Sequence, residues 1–265
     1  MHKPSVQWVL AIVLTLVSVV WQRTTGPTYP ARGHVRLGGH DIPVTLERSY
    51  SITGRQPVIV AAPDAAVTGT VRWRRFPSRD AWRDEPMVRQ GDVLEARLPP
   101  APLPLMPPAG KLEFRVRLAR GAETTAFPDR PVVSRFKGDV PAWILVPHIV
   151  AMFFGMLCSN RAAFAAVWGG PTRTVALVTV ALLVFGGLVL GPVVQKLAFG
   201  AYWTGIPWGY DLTDNKTLIA GVVWIAAAWR LRRDRPARAL VALAAVVTLV
   251  VFAIPHSVWG SEVKW

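Results

Sequence analysis

The chain has 265 residues, 52% of them hydrophobic, with 30 Lys or Arg against 16 Asp or Glu, a formal net charge of +14 and a single cysteine. A mean hydropathy of +0.33 excludes an ordinary soluble domain. The apolar residues gather in one N-terminal block and four blocks after residue 140, around a polar stretch of about 120 residues, which is the pattern of a membrane protein with one extramembrane domain. The lone Cys158 excludes an intrachain disulfide framework.

The N-terminus, MHKPSVQWVLAIVLTLVSVVWQR, starts with a short basic segment and then runs uncharged from Pro4 to Trp21. No small-x-small cleavage pattern follows, and Trp8 and Trp21 stand near the two ends of the run as interfacial anchors. Residues 1–23 therefore read as a signal anchor that stays on the chain.

From residue 24 to 139 the texture changes to short alternating runs separated by Gly and Pro. Val35–Leu37, Pro43–Leu46, Pro57–Ala61, Gly69–Phe76, Val93–Leu98 and Lys111–Leu118 have strand character. In the last of these Leu112, Phe114, Val116 and Leu118 share one face; in GTVRWRRF, Val71 and Trp73 share one face with Arg75 beside them. Short, evenly spaced strands with Pro-rich turns such as Pro99–Pro108 predict an extracytoplasmic all-β sandwich. The order of a Trp-bearing strand, a turn, a strand ending in LPP, a PPAGKLEFRV strand and a hairpin resembles an immunoglobulin-like or fibronectin type III module over Val35 to Phe127, without the Cys pair of a true immunoglobulin domain. Residues 22–141 hold 19 Lys or Arg and 12 Asp or Glu, a net of +7. His34 and His40 fall in no metal-spaced cluster, so the surface reads as solvated and basic, or as a docking face for an acidic partner or anionic headgroups.

Residues 140–265 predict a four-helix transmembrane domain with spans at about 142–158, 174–194, 218–229 and 239–254. With five spans in all, Lys3, Arg161, Arg173 and the arginines of the turn Arg230–Arg238 fall on one side, which the positive-inside rule makes cytoplasmic. The β-domain, the loop 195–217 and the C-terminus then lie on the periplasmic side of a bacterial inner membrane. The tryptophans agree, with Trp8, Trp168 and Trp229 inside and Trp21, Trp143, Trp203, Trp208 and Trp259 outside. A domain outside the cytoplasm does not meet nucleic acid.

Two imidazoles stand out. His148 lies roughly 10 Å below the outer surface of its span at 1.5 Å per residue, and His256 follows Pro255 at the outer end of the last span. Two histidines on different helices at similar depth match the axial ligands of a b-type haem, a proton-coupled quinone site, or two polar residues satisfied within the bundle. His148, Met152 and Met156 form a stripe at i, i+4 and i+8, which fits core packing better than a copper path. Gly187 and Gly191, preceded by Gly186 and followed by Pro192, form a small-residue motif for close helix packing inside the bundle, or at a dimer interface.

The connection 195–217 carries Gln195, Lys196, Tyr202, Trp203, Thr204, Trp208, Tyr210, Asp211, Asp214, Asn215 and Lys216, with glycines at 200, 205 and 209. Read locally, Thr213 or Asp214 caps the next helix while Asp211–Lys196 or Asp214–Lys216 form ion pairs. Read functionally, the loop is an ionic and aromatic lid over a pocket roofed by Trp203, Trp208 and Tyr210. Its carboxylate spacing matches no calcium loop, and no metal site is assigned.

The run GPVVQKLAFGAYWTGIPWGYDLTDNKT, with PHIVAMFFGML before it and IPHSVWGSE after it, resembles a family of bacterial inner-membrane proteins that share this loop and have no established activity. The resemblance implies architecture, and implies reading the three outer-face segments together. Two functions remain open at this stage. One is a subunit of a membrane electron-transfer complex, with haem b or a quinone near His148 and His256. The other is a non-catalytic scaffold that binds membrane partners through the bundle and periplasmic subunits through the sandwich. Hydrolytic triads, phosphate loops and a CxxCH attachment motif are absent, and the sequence assigns no catalytic residue.

Overall fold

The computed structural model describes residues 3–99, 109–231 and 237–255. The chain divides into two compact units, one built on the N-terminal helix and most of the chain after residue 140, the other on residues 27–139 together with 198–200.

In the sheet unit, alternation of apolar and polar residues generates strands whose inward faces make one core. A hairpin joins β1 (Ala31–Leu37) to β2 (His40–Leu46), and its turn uses Gly38 and Gly39 at φ of 58° and 77°, where a Cβ is disfavoured. The other strands are β3 (Ser49–Ser51), β4 (Gln56–Ala61), β5 (Val67–Arg75), β6 (Arg83–Pro86), β7 (Val88–Gln90), β8 (Val93–Leu98), β9 (Ala109–Arg120) and β10 (Glu123–Lys137). They form a five-stranded sheet in the order β3-β10-β9-β5-β6 and a three-stranded sheet in the order β4-β8-β7. All pairs are antiparallel except β3 with β10.

The register Val71↔Val116 and Trp73↔Phe114 stacks the predicted inward faces of β5 and β9. They join Leu37, Leu46, Leu94, Leu98 and Phe136 in one buried cluster, each such side chain worth about 1.5–3 kcal/mol on burial. Arg75, which stands beside that face in the sequence, pairs with Asp80. The long strand β10 has no sequence counterpart. Pro128 and Pro131 break its alternation, and the register shift falls between Phe127 and Val132.

The helical unit contains α1 (Pro4–Thr25), α2 (Ala142–Trp168), α3 (Arg173–Leu183), a π-helical turn (Val184–Leu190), α4 (Gly191–Phe199), α5 (Leu212–Leu231) and α6 (Arg238–Ala253). Among the described residues three helices are long and apolar enough to cross a membrane: Pro4–Thr25, Ala142–Trp168, and α3 through α4 taken as one, Arg173–Phe199. The sequence predicts five spans. Of the remaining two helices, α5 carries Asp214 and Lys216 in its first turns, and α6 is a 16-residue apolar helix.

Boundaries also move. The helix expected at 142–158 continues to Trp168, because the stretch after Cys158 is rich in Ala and the chain stops only at Gly169, at φ 90°. The expected span 174–194 runs through the π turn to Phe199. That turn lies where Pro192 has no N–H to return to the preceding turn, and Gly191 N–H bonds Gly186 O instead. Gly186 and Gly187 pack inside the unit: a Cβ on Gly186 would lie 2.8 Å from Ala151 Cβ, and one on Gly187 would lie 2.5 Å from Thr217 Cγ2.

Helix α1 is turned inside out relative to a soluble helix. Gln7, Ala11, Thr15 and Ser18 face inward, while Val9, Val13, Leu16, Val17 and Val20 are more than half exposed. Gln7 Nε2 donates to Gly169 O at 3.1 Å, and Asn160 Nδ2 donates to Thr15 Oγ1 at 3.0 Å. Arg161, expected to follow the span as a cytoplasmic charge, lies within α2 at 3% exposure, 5.5 Å from the Trp8 ring. Among the described residues its Nε and Nη1 have no hydrogen-bond partner. A buried cation with unpaired N–H groups is costly, and apolar replacement of buried charges is often neutral or stabilising. Arg161→Met is therefore expected to leave the melting temperature in detergent unchanged or raise it, whereas Trp8→Ala lowers it.

In the sheet unit Asp64 Oδ1 accepts the Ala66 N–H and Asp64 Oδ2 accepts Arg120 Nε at 2.7 Å. The Ala66 N–H first, then Arg120, hold this carboxyl below its ordinary value; Arg75 does the same for Asp80. Because both folded-state values are depressed, the stabilisation is complete above the unfolded value near 4 and is lost as pH falls through the folded values. Acid melting followed by circular dichroism is expected to show the sheet signal weakening below about pH 4, with a shallower slope in Asp64→Asn, Asp80→Asn double variants.

Candidate functional site

The last turn of α6 and the two residues after it leave carbonyls that no helix hydrogen bond satisfies. Three side chains from other helices supply the donors. Gln22 Nε2 bonds Phe252 O at 2.8 Å, Trp21 Nε1 bonds Ala253 O at 3.1 Å, and Lys216 Nζ bonds Ile254 O at 2.6 Å and Pro255 O at 3.4 Å. Lys216 is 2% exposed. Its ammonium sits where a helix C-terminus favours positive charge, and this contact, rather than the expected pairing with Asp214, accounts for its position.

Beside this junction lies a cleft of about 360 Å³ lined by Ser18, Val19 and Gln22 of α1, Leu145, His148, Ile149, Met152, Phe153 and Met156 of α2, Val194 of α4 and Phe252 of α6. Its walls are apolar with a few polar groups, the usual character of a small-molecule site. His148 Nδ1 lies 2.8 Å from Gly186 O. A carbonyl only accepts, so Nδ1 carries the proton and Nε2 of the neutral ring is left as an acceptor. Gly186 is positioned for this contact by the π turn, and a Cβ added at Gly191, at the end of that turn, would lie 3.9 Å from His148 Cε1. The stripe His148, Met152, Met156 lines the cleft along one side. His256 lies outside the described residues.

The loop between α4 and α5 is organised around two carboxylates. Asp214 Oδ2 accepts Thr204 N–H at 2.6 Å, Gln195 Nε2 at 3.1 Å and Thr204 Oγ1 at 3.3 Å; Gln195 Nε2 also reaches Thr204 Oγ1 at 2.7 Å. Asp211 Oδ1 accepts the N–H groups of Thr213 and Asp214, so Asp211 caps α5 where the sequence favours Thr213 or Asp214. Asn215 Oδ1 accepts Ile206 N–H at 2.8 Å, and Trp203 Nε1 donates to Ile206 O at 3.1 Å.

Glycine is required by close approach: a Cβ on Gly205 would lie 2.6 Å from Asp214 Cβ and 2.7 Å from Asn215 Oδ1, and one on Gly209 would overlap Thr204 O. Lys196 Nζ stands 5.5 Å above the Tyr202 ring.

The expected aromatic lid does not stand over the His148 cleft. Trp208 is 80% and Tyr210 91% exposed, and no described residue of 195–217 lines the cleft. The loop's polar residues hold the loop itself, because its short backbone has many N–H groups to satisfy and the nearest acceptors are its own carboxylates. The structure thus brings Gln195, Thr204, Asp211, Asp214 and Asn215 together and leaves His148 in a separate cleft. The α1 contribution to that cleft is legible only in hindsight, as the stripe Gln7, Thr15, Ser18, Gln22 within an apolar run. Among the described residues no group of three or more His, Cys, Asp or Glu could hold a metal ion.

Two substitutions probe the loop. Asp214→Ala strands the Thr204 N–H and removes one of the two acceptors of Gln195 Nε2, and is expected to destabilise by about 1–3 kcal/mol, and Gly205→Ala by about 1–3 kcal/mol through overpacking. Thermal melting in detergent, followed by tryptophan emission, measures both.

No family model matches the chain, and neither a curated protein nor a solved structure is significantly similar to it.

Proposed function

We propose that the protein is an inner-membrane subunit of an electron-transfer complex that holds the ring of a quinol in the His148 cleft. The observation that carries this reading is the His148 Nδ1–Gly186 O hydrogen bond, which presents Nε2 as a lone acceptor beside an apolar cleft of about 360 Å³. A quinol hydroxyl donates to such a nitrogen, and the imidazole is then placed to take that hydroxyl proton as one electron passes to a partner subunit's redox centre. A quinone carbonyl, lacking a donor, gains nothing from it. The same nitrogen is of the kind that ligates a haem b iron, with its other N–H held by a carbonyl.

In this reading α1 is a retained signal anchor, supported by its contacts to Gly169, Asn160, Phe252 and Ala253. Helices α5 and α6 complete a four-span bundle despite their polar start and short length, and the sheet unit is an immunoglobulin-like sandwich on the periplasmic side.

The test is titration of the purified protein in lipid nanodiscs with a water-soluble quinol analogue, beside a reduced-minus-oxidised visible spectrum. Wild type is expected to bind the quinol more tightly than its quinone, and His148→Ala to weaken binding about tenfold, the equivalent of ~1.4 kcal/mol for one hydrogen bond. A Soret band lost in His148→Ala identifies haem instead. A colourless protein that ignores the analogue overturns the electron-transfer reading and leaves a scaffold for membrane and periplasmic subunits.

A further inference from the structure

The loop between α4 and α5 spends its polar groups on itself and turns its rings outward. Tyr202, Ile206, Trp208 and Tyr210 are 59%, 53%, 80% and 91% exposed. Four large side chains on one short connection form the kind of exposed apolar surface that needs an occupant.

Three observations identify it. First, the loop is continuous with outward-facing apolar surface on both sides: it follows the apolar helix Arg173–Phe199 and leads into α5, whose Ile219, Val222 and Ile225 are about half exposed. Second, the ring-bearing residues at the tip are Trp and Tyr, whose apolar body and polar edge suit the boundary between headgroups and acyl chains. Third, the N–H groups of Thr204, Ile206, Trp208, Gly209, Asp211, Thr213, Asp214 and Asn215 are all bonded within the loop and the first turn of α5. Irregular backbone normally stays out of lipid because its N–H groups lack partners there. Here most of that cost is met by these bonds, and the close packing of Gly205 against Asp214 and Asn215 holds the backbone in place.

We propose that residues 202–210 rest in the headgroup–acyl boundary of the bilayer as a rigid aromatic float. It sets the depth of the α4–α5 end of the helical unit, with Lys196 beside Tyr202 at the level of the lipid phosphates. This surface is separate from the His148 cleft and does not depend on what that cleft binds.

The experiment places a nitroxide at position 208, through Trp208→Cys in a Cys158→Ala background, in full-length protein reconstituted into phosphatidylcholine–phosphatidylglycerol vesicles. Oxygen and a water-soluble nickel chelate compete as relaxants, and a label at the exposed Arg36 of β1, in the sheet unit, is the aqueous reference. Tyr210→Cys provides a second site should the first variant fail to fold. The label is expected to be several-fold less accessible to nickel than at position 36, and more accessible to oxygen, at a depth matching the headgroup boundary. Nickel access equal to that at position 36 would place the loop in water. Exclusion of both relaxants would place it against protein. Either result overturns the proposal.

Discussion

In apolar surroundings every main-chain polar group must find its partner inside the chain, and the helical unit is arranged around that requirement. The end of α6 illustrates it most directly. Four carbonyls there are satisfied by Trp21 and Gln22 from the beginning of the sequence and Lys216 from the helix before it. Those contacts join α1, α5 and α6 at one end of the bundle, and the wall they make is the floor against which the His148 cleft opens. A buried lysine that looks like a functional cation in the sequence is, in the structure, a cap that tethers one helix to another.

The same requirement governs the two irregular stretches of backbone. In the π turn, a widened helix offers the Gly186 carbonyl to both Gly191 N–H and His148 Nδ1. In the α4–α5 loop, two aspartates and an asparagine take up N–H groups that a longer loop would give to water. The consequences differ. The π turn fixes an imidazole so that one nitrogen is available to a ligand, whereas the loop bonds its carboxylates inward and leaves its rings and Ile206 outside. Charges and aromatics that are mixed in the sequence are sorted by the fold into an interior clamp and an exterior surface.

The sheet unit follows from simpler rules. Period-two alternation located β1, β2, β5, β8 and β9 to within a few residues, because each has one buried face, and a compact apolar run located β4. Strand β10 escaped because its prolines interrupt that alternation, and β3, β6 and β7 because three or four residues are too short to show a period. The register Arg72↔Arg115 places two arginines directly across from one another on the outer face, so the basic surface is a property of pairing as well as of composition.

The sequence by itself determined the division into an N-terminal apolar helix, a strand-rich domain and a helical remainder, and it singled out His148 and the loop 195–217, because hydrophobic periodicity and composition are local quantities. Only the tertiary structure decided what those residues do. Whether Asp214 meets a ligand or the Thr204 N–H, whether Trp208 covers a cleft or faces outward, and whether Arg161 ends a span or lies buried over Trp8 depend on partners far along the chain. Such long-range pairings are set by how helices pack, and no window of sequence contains them.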